Sequence, residues 1–384
     1  MRVAFVTLVD PAGASGQNLF SRATATALAR RDDVSLTLIC PRPSDGLPDD
    51  LADAVTDVVF LPAKRTRSVR WQLGVQRQLA ATLRERGPSL DGIVTPFRPG
   101  SVLPPLAAIR YDVPLVLLVE GMEARNVRAI GPFPGASLLV HLVATLNAAA
   151  SAAVFASYEE IRAWLAGLPL VDGSKIEVFH HGVDDRRFRP HDRLDSRRAV
   201  PVALPENAPL VGYVGSFKPY HALPALLRAV ADGPVPSNCH VLLVGDGPER
   251  EDVATLADSL GIADRVHLPG YVDHEAVPRY VGACDVTYGV VDPDHWGSPM
   301  KVFEYLACAR PVVAFDSPDL SFVEEVDAGH LVDDVSPDAV GAALGDLWDR
   351  TPDERDAMGD AGRQYVLENR TWADLARRVV AALN

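Results

Sequence analysis

The sequence predicts an α/β protein made of two Rossmann-like domains that face a cleft. Its length of 384 residues fits two domains of ordinary size. Short β-branched runs alternate with helical patterns along the chain, which is typical of parallel sheets built from βαβ units. This alternation stops near residue 184 and restarts at residue 210. The expected boundaries are 1–184 for the first domain, 185–209 for a linker, 210–369 for the second domain and 370–384 for a closing C-terminal helix.

The first half contains seven runs with the composition of buried strands and three stretches with helical periodicity. Strands are expected at Val3–Val9, Ser35–Cys40, Val58–Leu61, Gly92–Thr95, Leu115–Val119, Ala153–Ala156 and Ile176–Phe179. Helices are expected at Leu19–Arg31, Val69–Glu85 and Leu138–Ala149. The segment Asp184–Pro209 is rich in Arg, Asp and Pro and has little apolar periodicity, which indicates a linker.

The second half repeats the same alternation. Strands are expected at Leu210–Val214, Val241–Val244, Val266–Leu268, Val286–Tyr288 and Val312–Phe315. Helices are expected at Pro224–Ala231, Arg250–Leu260, Val302–Ala309, Pro337–Asp349, Asp353–Glu368 and Trp372–Ala382. Two similarly built halves therefore follow one another.

Composition and charge exclude several classes of protein. The formal net charge of −14 argues against nucleic acid as a partner, because phosphate binding requires a basic surface. The four cysteines lie far apart, which favours buried apolar side chains over a metal site or a redox pair. The N-terminus runs directly into a strand pattern, so no signal peptide is expected. The apolar stretch Ser137–Ala156 is interrupted by His141 and Asn147, which favours a helix followed by a strand over a membrane span. We therefore expect a soluble, cytoplasmic protein.

The stretch from Trp296 to Ala314 carries the most chemical information. Ser298 is a good N-cap and Pro299 suits the first position of a helix, so the turn at Gly297 would present free backbone N–H groups to an anion. Lys301 would add a cation in the first turn, and Glu304 would lie on the same helical face and accept hydroxyl hydrogen bonds. These groups suit a ribose diphosphate. An ordinary capped helix with two solvated charges remains the alternative.

This stretch resembles the signature helix of family 4 glycosyltransferases, which have the GT-B fold with two Rossmann-like domains and retain anomeric configuration. In that family the second of two glutamates eight positions apart binds the donor ribose, and Glu304 matches it. The first glutamate falls at Trp296, so this chain is similar to a subgroup with Ser-Pro-x-Lys-x-x-Glu-Tyr. Asp294 or Ser298 could replace the missing sugar-hydroxyl contact. The resemblance implies that the donor is also contacted by Gly297, Ser298 and Met300.

Four more segments resemble the family in the expected order. Residues 212–221 resemble the strand and loop that place an Arg and a Lys on the donor phosphates, and strict alignment puts Ser216 and His221 there, with Lys218 between them. Residues 244–249 resemble a glycine turn that ends a strand. Residues 181–184 resemble the Asn-Gly-Val-Asp that opens the interdomain linker, with His181 in place of Asn. The turn whose backbone contacts the base corresponds to Gly270, Tyr271 and Val272.

The N-terminal half resembles the family less closely, as expected for the acceptor side. Gly13 and Gly16 follow the first strand and permit close approach of a phosphate or of the transferring sugar. A dinucleotide-binding loop is the alternative, but the spacing is not G-x-G-x-x-G. Glu120 ends the fifth strand, where the family usually has a His near the reacting sugar. It is expected either to orient the acceptor hydroxyl or to stabilise charge on the sugar, with a solvated loop acid as the alternative. A direct role for His180 or His181 stays open.

The resemblance implies transfer of a sugar from a nucleoside-diphosphate donor to an acceptor hydroxyl, with the acceptor a saccharide or a lipid-linked saccharide. Lys218, Lys301 and the helix-start amides would stabilise the departing diphosphate. Neither a tightly bound cofactor nor a metal is expected, although Asp292-Pro293-Asp294 has the spacing of a metal motif. Two alternatives stay open: a catalytically silent nucleotide-sugar binding protein and a GT-B sugar-nucleotide epimerase or phosphorylase.

A basic stretch in the first half suggests a further partner. Between Lys64 and Arg86 the sequence contains seven basic residues and one acid, Glu85, in an otherwise acidic chain. Trp71, Leu73 and Leu79 lie within this stretch. Apolar and aromatic side chains among basic ones are typical of surfaces that contact anionic lipid headgroups. The sequence therefore predicts peripheral contact with the inner face of the cell membrane, with a solvated helix as the alternative.

Overall fold

The computed structural model describes residues 1–13, 16–44, 46–63, 69–121, 136–179, 181–292 and 300–384. They form two compact units. The first unit comprises Met1–His181 and Trp372–Asn384, and the second comprises Gly182–Thr371. The chain therefore passes between the units twice, at 181/182 and at 371/372, and the segment 185–209 lies within the second unit.

The first unit is built on a parallel sheet with the order β3-β2-β1-β4-β5-β6-β7 in the part of the chain that the structure describes. Its strands are β1 (Arg2–Val6), β2 (Ser35–Pro41), β3 (Asp57–Leu61), β4 (Gly92–Pro96), β5 (Leu115–Val119), β6 (Ala153–Ala156) and β7 (Ile176–Val178). Its helices are α1 (Gly16–Ala29), α2 (Asp49–Ala52), α3 (Val69–Arg86), α4 (Leu103–Tyr111), α5 (Ala136–Ala150) and α6 (Glu159–Ala166), and the C-terminal α15 (Trp372–Leu383).

The strands of this sheet are apolar because helices cover both of its faces. All five residues of β5, Leu-Val-Leu-Leu-Val, are buried. The C-terminal helix α15 completes one of the cores through Trp372, Leu375 and Val379. The helix approaches the sheet so closely that a Cβ at Gly92 would lie 2.8 Å from Leu383 Cδ1.

The second unit repeats this plan with the order β10-β9-β8-β11-β12-β13 among its described strands, again all parallel. The strands are β8 (Leu210–Val214), β9 (His240–Val244), β10 (Val266–Gly270), β11 (Val286–Gly289), β12 (Val312–Phe315) and β13 (Gly329–Val332). The helices are α7 (Arg193–Ala199), α8 (Leu223–Asp232), α9 (Arg250–Ser259), α10 (Val277–Gly282), α11 (Met300–Ala307), α12 (Phe322–Glu325), α13 (Pro337–Asp349) and α14 (Pro352–Asn369).

The expected α/β class with two parallel Rossmann-like sheets is confirmed, and the expected strands are all present. Strand β1 ends at Val6, earlier than expected, because Val9 and Asp10 belong to the turn that follows it. The expectation of an irregular segment after Asp184 is wrong for α7. The polar Arg197 of that helix is buried and donates to the carbonyl of Ala283 and the carboxylate of Asp285, so a charged sequence hides a packed helix.

The four cysteines and the apolar stretch Ser137–Ala156 behave as predicted. Cys40, Cys239, Cys284 and Cys308 are free and buried, and burial raises the pKa of each thiol to about 12. The stretch folds as α5 followed by the strand β6. Among the described residues, no helix combines the length and the apolar character needed to cross a membrane.

Candidate functional site

The candidate site in the second unit lies where the strand order of its sheet reverses. Strand β8 is hydrogen-bonded to β9 on one side and to β11 on the other, so the loops after β8 and β11 diverge to opposite faces. In open α/β sheets the carboxyl edge at this reversal is the usual place for a ligand. The loop Gly215–Lys218 follows β8, and α11 follows β11 along the chain.

A tyrosine hydroxyl fixes helix α11 to the end of β8. Tyr305 is buried, and its hydroxyl accepts from the Val214 N–H at 2.7 Å and donates to the Val214 carbonyl at 3.0 Å. The β8–β11 pairing includes Val211 and Gly212, so the hydroxyl satisfies backbone groups beyond that ladder. Helix α11 is therefore held at the carboxyl edge of the sheet.

Lys301 places a cation beside the loop after β8. Its Nζ lies 3.3 Å from the Tyr213 hydroxyl and 3.1 Å from His221 Nδ1, and it stands 4.5 Å from the centroid of the Tyr213 ring. The Tyr213 hydroxyl in turn donates to the Ser216 carbonyl at 2.7 Å. Although Lys301 as a whole is only partly buried, these surroundings desolvate its ammonium and lower its pKa from 10.5 to about 7, against the opposing effect of the Glu304 carboxylate.

Glu304 lies one turn further along α11, as the spacing predicts. Its Oε1 is 3.0 Å from His274 Nε2, in the turn that follows β10. The Glu304 side chain is mostly buried, with 16% of its surface exposed, whereas that of His274 is 43% exposed. The carboxylate is therefore held in place by a side chain from a different segment.

Glycine turns bring the ends of β8, β9 and β10 close together. The Gly245 N–H donates to the Gly270 carbonyl, and the Gly215 N–H donates to the Val244 carbonyl. Gly245 has φ +134°, and a Cβ there would lie 1.9 Å from the Gly215 carbonyl oxygen. Gly270 has φ +87°, so a left-handed backbone turns the chain towards Tyr271.

The remaining residues that were predicted to contact the donor differ in their exposure to solvent. Lys218 is exposed, and its Nζ stands 5.7 Å from the Tyr220 ring centroid. Tyr271 is also exposed, Val272 and Met300 are partly buried, and Met300 begins α11. The predicted contacts at Gly297 and Ser298 lie outside the described residues, as do Trp296, Asp294 and His180.

In the first unit, the turn after β1 is closed by hydrogen bonds to the Asp10 carbonyl, and the predicted approach of a phosphate or sugar to Gly13 and Gly16 stays a prediction. The Gly13 N–H donates to the Asp10 carbonyl at 3.1 Å, and the Asn18 side-chain amide donates to the same carbonyl. A Cβ at Gly13 would lie 1.9 Å from Asn18 Nδ2, so a larger residue there would displace the Asn18 side chain. Gly16 begins α1.

Glu120 is buried in an ion pair at the carboxyl edge of the same sheet. Its Oε1 accepts from Arg98 Nη2 at 2.6 Å, and Arg98 also donates to the Phe97 carbonyl at 2.7 Å. The Glu120 side chain is only 3% exposed, so the alternative of a solvated loop acid is wrong. Arg98 follows β4 and Glu120 follows β5, and these neighbouring parallel strands bring the two residues together.

The side chains that contact the predicted site residues were not themselves predicted from the sequence. Arg98 follows β4 just as Glu120 follows β5. These equivalent positions at the ends of two strands could have predicted their contact. Tyr213 lies inside the strand pattern Leu210–Val214, which does not indicate a contact with Lys301. His274 comes shortly after the turn at Gly270, but no periodicity links it to Glu304, which lies 30 positions further along the chain.

Two family models match successive parts of the chain. Residues 208–350 match the model described as Glycosyl transferases group 1, and residues 14–187 match the model described as Glycosyltransferase Family 4. Both halves of the chain are therefore similar to glycosyltransferase domains. The group 1 match includes Lys218, Lys301 and Glu304, and the family 4 match includes Glu120.

Two curated relatives of this chain have the same name. A D-inositol 3-phosphate glycosyltransferase of Mycolicibacterium gilvum is 35% identical over 49% of this chain and 42% of its own length. Another protein of that name, from Actinosynnema mirum, is 29% identical over 88% of this chain and 90% of its own length. The chain spans about half the length of several curated relatives that it matches, between 42% and 60%.

Solved structures of other proteins share the fold. Anabaena HepE in complex with UDP superposes with a TM-score of 0.71 at 17% identity, over 100% of this chain and 99% of HepE. At this identity the likeness concerns the fold alone. The predicted GT-B glycosyltransferase type is thus confirmed for the fold and the family domains.

Proposed function

We propose that this protein transfers a sugar from a nucleoside-diphosphate donor to an acceptor hydroxyl with retention of anomeric configuration. The site at the carboxyl edge of the second unit's sheet would bind the nucleotide, with Glu304 accepting hydrogen bonds from the ribose hydroxyls. The support comes from the glycosyltransferase domains, from the position of the site at the strand-order reversal, and from the charges on helix α11.

The surroundings of Lys301 carry this proposal. An ammonium that touches Tyr213 and His221, and whose pKa burial lowers to about 7, is a costly group to keep without an anionic ligand. A diphosphate beside it would favour the charged form and be bound by it. Such a perturbed lysine in a site of this kind favours a binding or catalytic role over a purely structural one.

The mechanism follows from where charge develops. As the bond between the sugar and the diphosphate breaks, negative charge accumulates on the leaving diphosphate, and Lys301 and the exposed Lys218 would stabilise it more than they stabilise the bound donor. The acceptor hydroxyl oxygen would attack from the face that the diphosphate leaves and would pass its proton to the leaving phosphate oxygen, and attack from this face retains the configuration. In this scheme the Arg98–Glu120 pair of the first unit would orient the acceptor hydroxyl. The scheme uses no metal ion.

The donor test uses purified protein with UDP-, GDP- and ADP-sugars, followed by mass spectrometry of the products. We expect transfer to an acceptor panel that includes D-inositol 3-phosphate, the compound in the names of two relatives, together with lipid-linked saccharides. Lys301→Ala should lower kcat more than donor affinity, and Glu304→Ala should weaken binding of the nucleoside diphosphate by about 1.5–3 kcal/mol.

The outcomes separate the candidate functions. Conversion of the donor sugar without an acceptor would identify an epimerase, and binding without turnover would identify a silent nucleotide-sugar binding protein. Near-normal turnover of both Lys218→Ala and Lys301→Ala would remove the lysines from the mechanism.

We also propose that the first unit contacts an anionic membrane through α3, α4 and α5. Helix α4 packs against both α3 and α5. Together these helices contain one acidic residue, Glu85, in a chain of net charge −14. Their arginines are Arg70, Arg77, Arg84, Arg86 and Arg110. Arg110 of α4 adds to the basic stretch of the sequence, whereas α5 contains no Lys or Arg and Arg86 forms an ion pair with Asp57.

Exposed apolar side chains accompany these charges. Leu106 and Ile109 of α4 are exposed one turn apart, as are Leu138 and Leu142 of α5. Apolar side chains next to basic residues match the chemistry of a headgroup layer, where each basic residue contributes about 1 kcal/mol. Asp112 at the end of α4 is an exposed acid at this surface, and Lys64–Ser68 of the basic stretch lie outside the described residues.

Liposome flotation tests this contact. We expect binding to phosphatidylglycerol-containing vesicles at low salt and much less to phosphatidylcholine vesicles or at high salt. The double variant Leu138→Ser/Leu142→Ser should bind less, whereas Leu170→Ser, also in the first unit and 89% exposed, should bind normally. Equal, negligible recovery of wild type under all four conditions would leave a freely diffusing acceptor as the better proposal.

A further inference from the structure

Three side chains of the second unit form a directed hydrogen-bond chain that ends on Glu304. Arg187 Nη1 lies 3.0 Å from His274 Nδ1, and His274 Nε2 lies 3.0 Å from Glu304 Oε1. They come from separate segments: Arg187 lies shortly after the chain enters the second unit, His274 lies in the turn after β10, and Glu304 belongs to α11. Their association is therefore a product of the tertiary fold.

The chemistry of the two end groups sets the state of the imidazole. A guanidinium can only donate, so His274 Nδ1 must accept and carries no proton. A carboxylate can only accept, so Nε2 must carry the proton and donate it to Glu304. The neutral Nε2–H tautomer is the form of His274 that satisfies both bonds.

A shared apolar cluster fixes the positions of these groups. Phe188, next to Arg187, is buried with Phe303 and Tyr305, which flank Glu304 on α11. The ring of Phe188 lies 5.2 Å from the ring of His274. The backbone N–H groups of Arg187 and Phe188 donate to the Asp184 carbonyl and hold this segment in a turn. Small displacements of either end of the chain would therefore disturb packed side chains.

We propose that His274, oriented by Arg187, is a positioning residue that holds one oxygen of Glu304 so that the other oxygen faces the ribose hydroxyls of the donor nucleotide. Within the described residues, no hydrogen bond to Glu304 Oε2 occurs, whereas Oε1 is engaged. This inference rests on the proposed function, because it assigns Glu304 to the ribose. It adds that selection of ribose depends on two residues outside α11.

Substitution of His274 should weaken nucleotide binding without abolishing it. We expect His274→Ala to raise the Kd for the nucleoside diphosphate about three- to tenfold, since Glu304 loses one charge-assisted hydrogen bond that orients it. His274→Gln should recover most of the affinity, because its amide N–H₂ can donate to Glu304 while its carbonyl accepts from Arg187. Arg187→Ala should have a smaller effect in the same direction. Glu275→Ala and Arg186→Ala, which replace exposed neighbours, are the matched controls.

The decisive measurement compares ribose with deoxyribose. Calorimetry with UDP, GDP and ADP, and with their 2′-deoxy counterparts, gives the discrimination between the two sugars for each variant. In wild type the deoxy form should bind more weakly, and His274→Ala should shrink that difference, which a general loss of stability would not do. If wild type binds the ribose nucleotides and His274→Ala keeps the full discrimination, the positioning role is overturned. If wild type binds none of these nucleotides, the proposed function itself fails.

The tautomer gives a second, independent readout. Long-range ¹H–¹⁵N correlation spectra of the free protein, with His274 assigned by its absence from His274→Gln, should show the Nε2–H form. A predominant Nδ1–H form would contradict the directed chain from Arg187 to Glu304.

Discussion

At the residue scale, the surroundings of Lys301 lower the stability of the folded protein near neutral pH. Its pKa of about 7 means that the folded protein holds this proton less firmly than the unfolded chain, whose lysine has the ordinary value of 10.5. The unfolded state therefore binds more protons between these values, so this group makes stability rise with pH from about 7 upward. The residue that we propose for the diphosphate is thus a stability liability in the empty site.

We expect Lys301→Met to unfold at a higher temperature than wild type at pH 6 to 7, because the desolvated ammonium is replaced by an apolar side chain of similar length. The difference in Tm should shrink as the pH approaches 9, since wild type then loses the proton. Thermal unfolding of both proteins across this range is the measurement. A Tm difference independent of pH would mean that Lys301 has a normal pKa. The variant should also lose affinity for the nucleoside diphosphate.

The ion pair between Arg98 and Glu120 gives a second prediction at this scale. Arg98→Met would remove the guanidinium next to a carboxylate that is only 3% exposed, and we expect a loss of about 3–5 kcal/mol in the free energy of unfolding. Arg98→Met/Glu120→Leu should recover much of this loss, because both charges of this pair are then removed. Urea denaturation of the two variants and wild type tests this. If the double variant is as unstable as the single one, packing of the Arg98 stem, and not its charge, stabilises the fold.

At the scale of elements, the glycine turns that join β8, β9 and β10 should be the most sensitive part of the candidate site. Gly245→Ala places a Cβ 1.9 Å from the Gly215 carbonyl oxygen, so the turn has to move. Gly261 also has positive φ, at +68°, but a Cβ there meets nothing within 4 Å. We expect Gly261→Ala to cost only about 1 kcal/mol of backbone strain. Gly245→Ala should cost more and should also weaken nucleotide binding. Equal losses of stability in both variants would show that backbone strain, and not the steric clash at Gly245, determines the cost of the substitution.

The sequence predicted elements well where apolar runs are long. Every strand that the first unit uses was expected, because strands buried on both faces are almost wholly apolar. Helix α7 and strand β13 were missed for opposite reasons. Helix α7 has a highly charged sequence in which nothing indicates that Arg197 is buried. Strand β13 is a short edge strand, Gly-His-Leu-Val, without strong periodicity. Local pattern cannot show that a distant Asp285 stabilises a buried arginine.

The candidate site was predictable only in part, for a similar reason. Lys301 and Glu304 lie on one helix face, so their spacing is visible in the sequence. The contacts of Lys301 with Tyr213 and His221, 88 and 80 positions away, depend on the order of the strands. The burial of Glu120 likewise depends on Arg98 from the neighbouring strand. Spacing reveals groups on one element, and the fold supplies their partners.

At the scale of the whole molecule, the first unit depends on helix α15. This helix contributes Trp372, Leu375, Val379 and Leu383 to a core that is otherwise formed by residues from the first half of the chain. Deletion of residues 372–384 should therefore destabilise the first unit, with exposure of that core and aggregation, and leave the second unit folded. Proteolysis followed by mass spectrometry should recover a protected fragment close to 182–371. Protection of both units after the deletion would contradict this dependence.

The two crossings of the chain have a consequence for biosynthesis. Because the first unit is interrupted at His181 and resumed at Trp372, the second unit is in effect an insertion within it. On the ribosome, the second unit is complete as soon as Thr371 has emerged, whereas the first unit waits for a helix made at least 190 residues after its last strand. The usual order, in which N-terminal domains fold first, is thereby reversed. A nascent first half would expose its unfinished core throughout synthesis of the second, which makes it the part of this protein that a chaperone would bind.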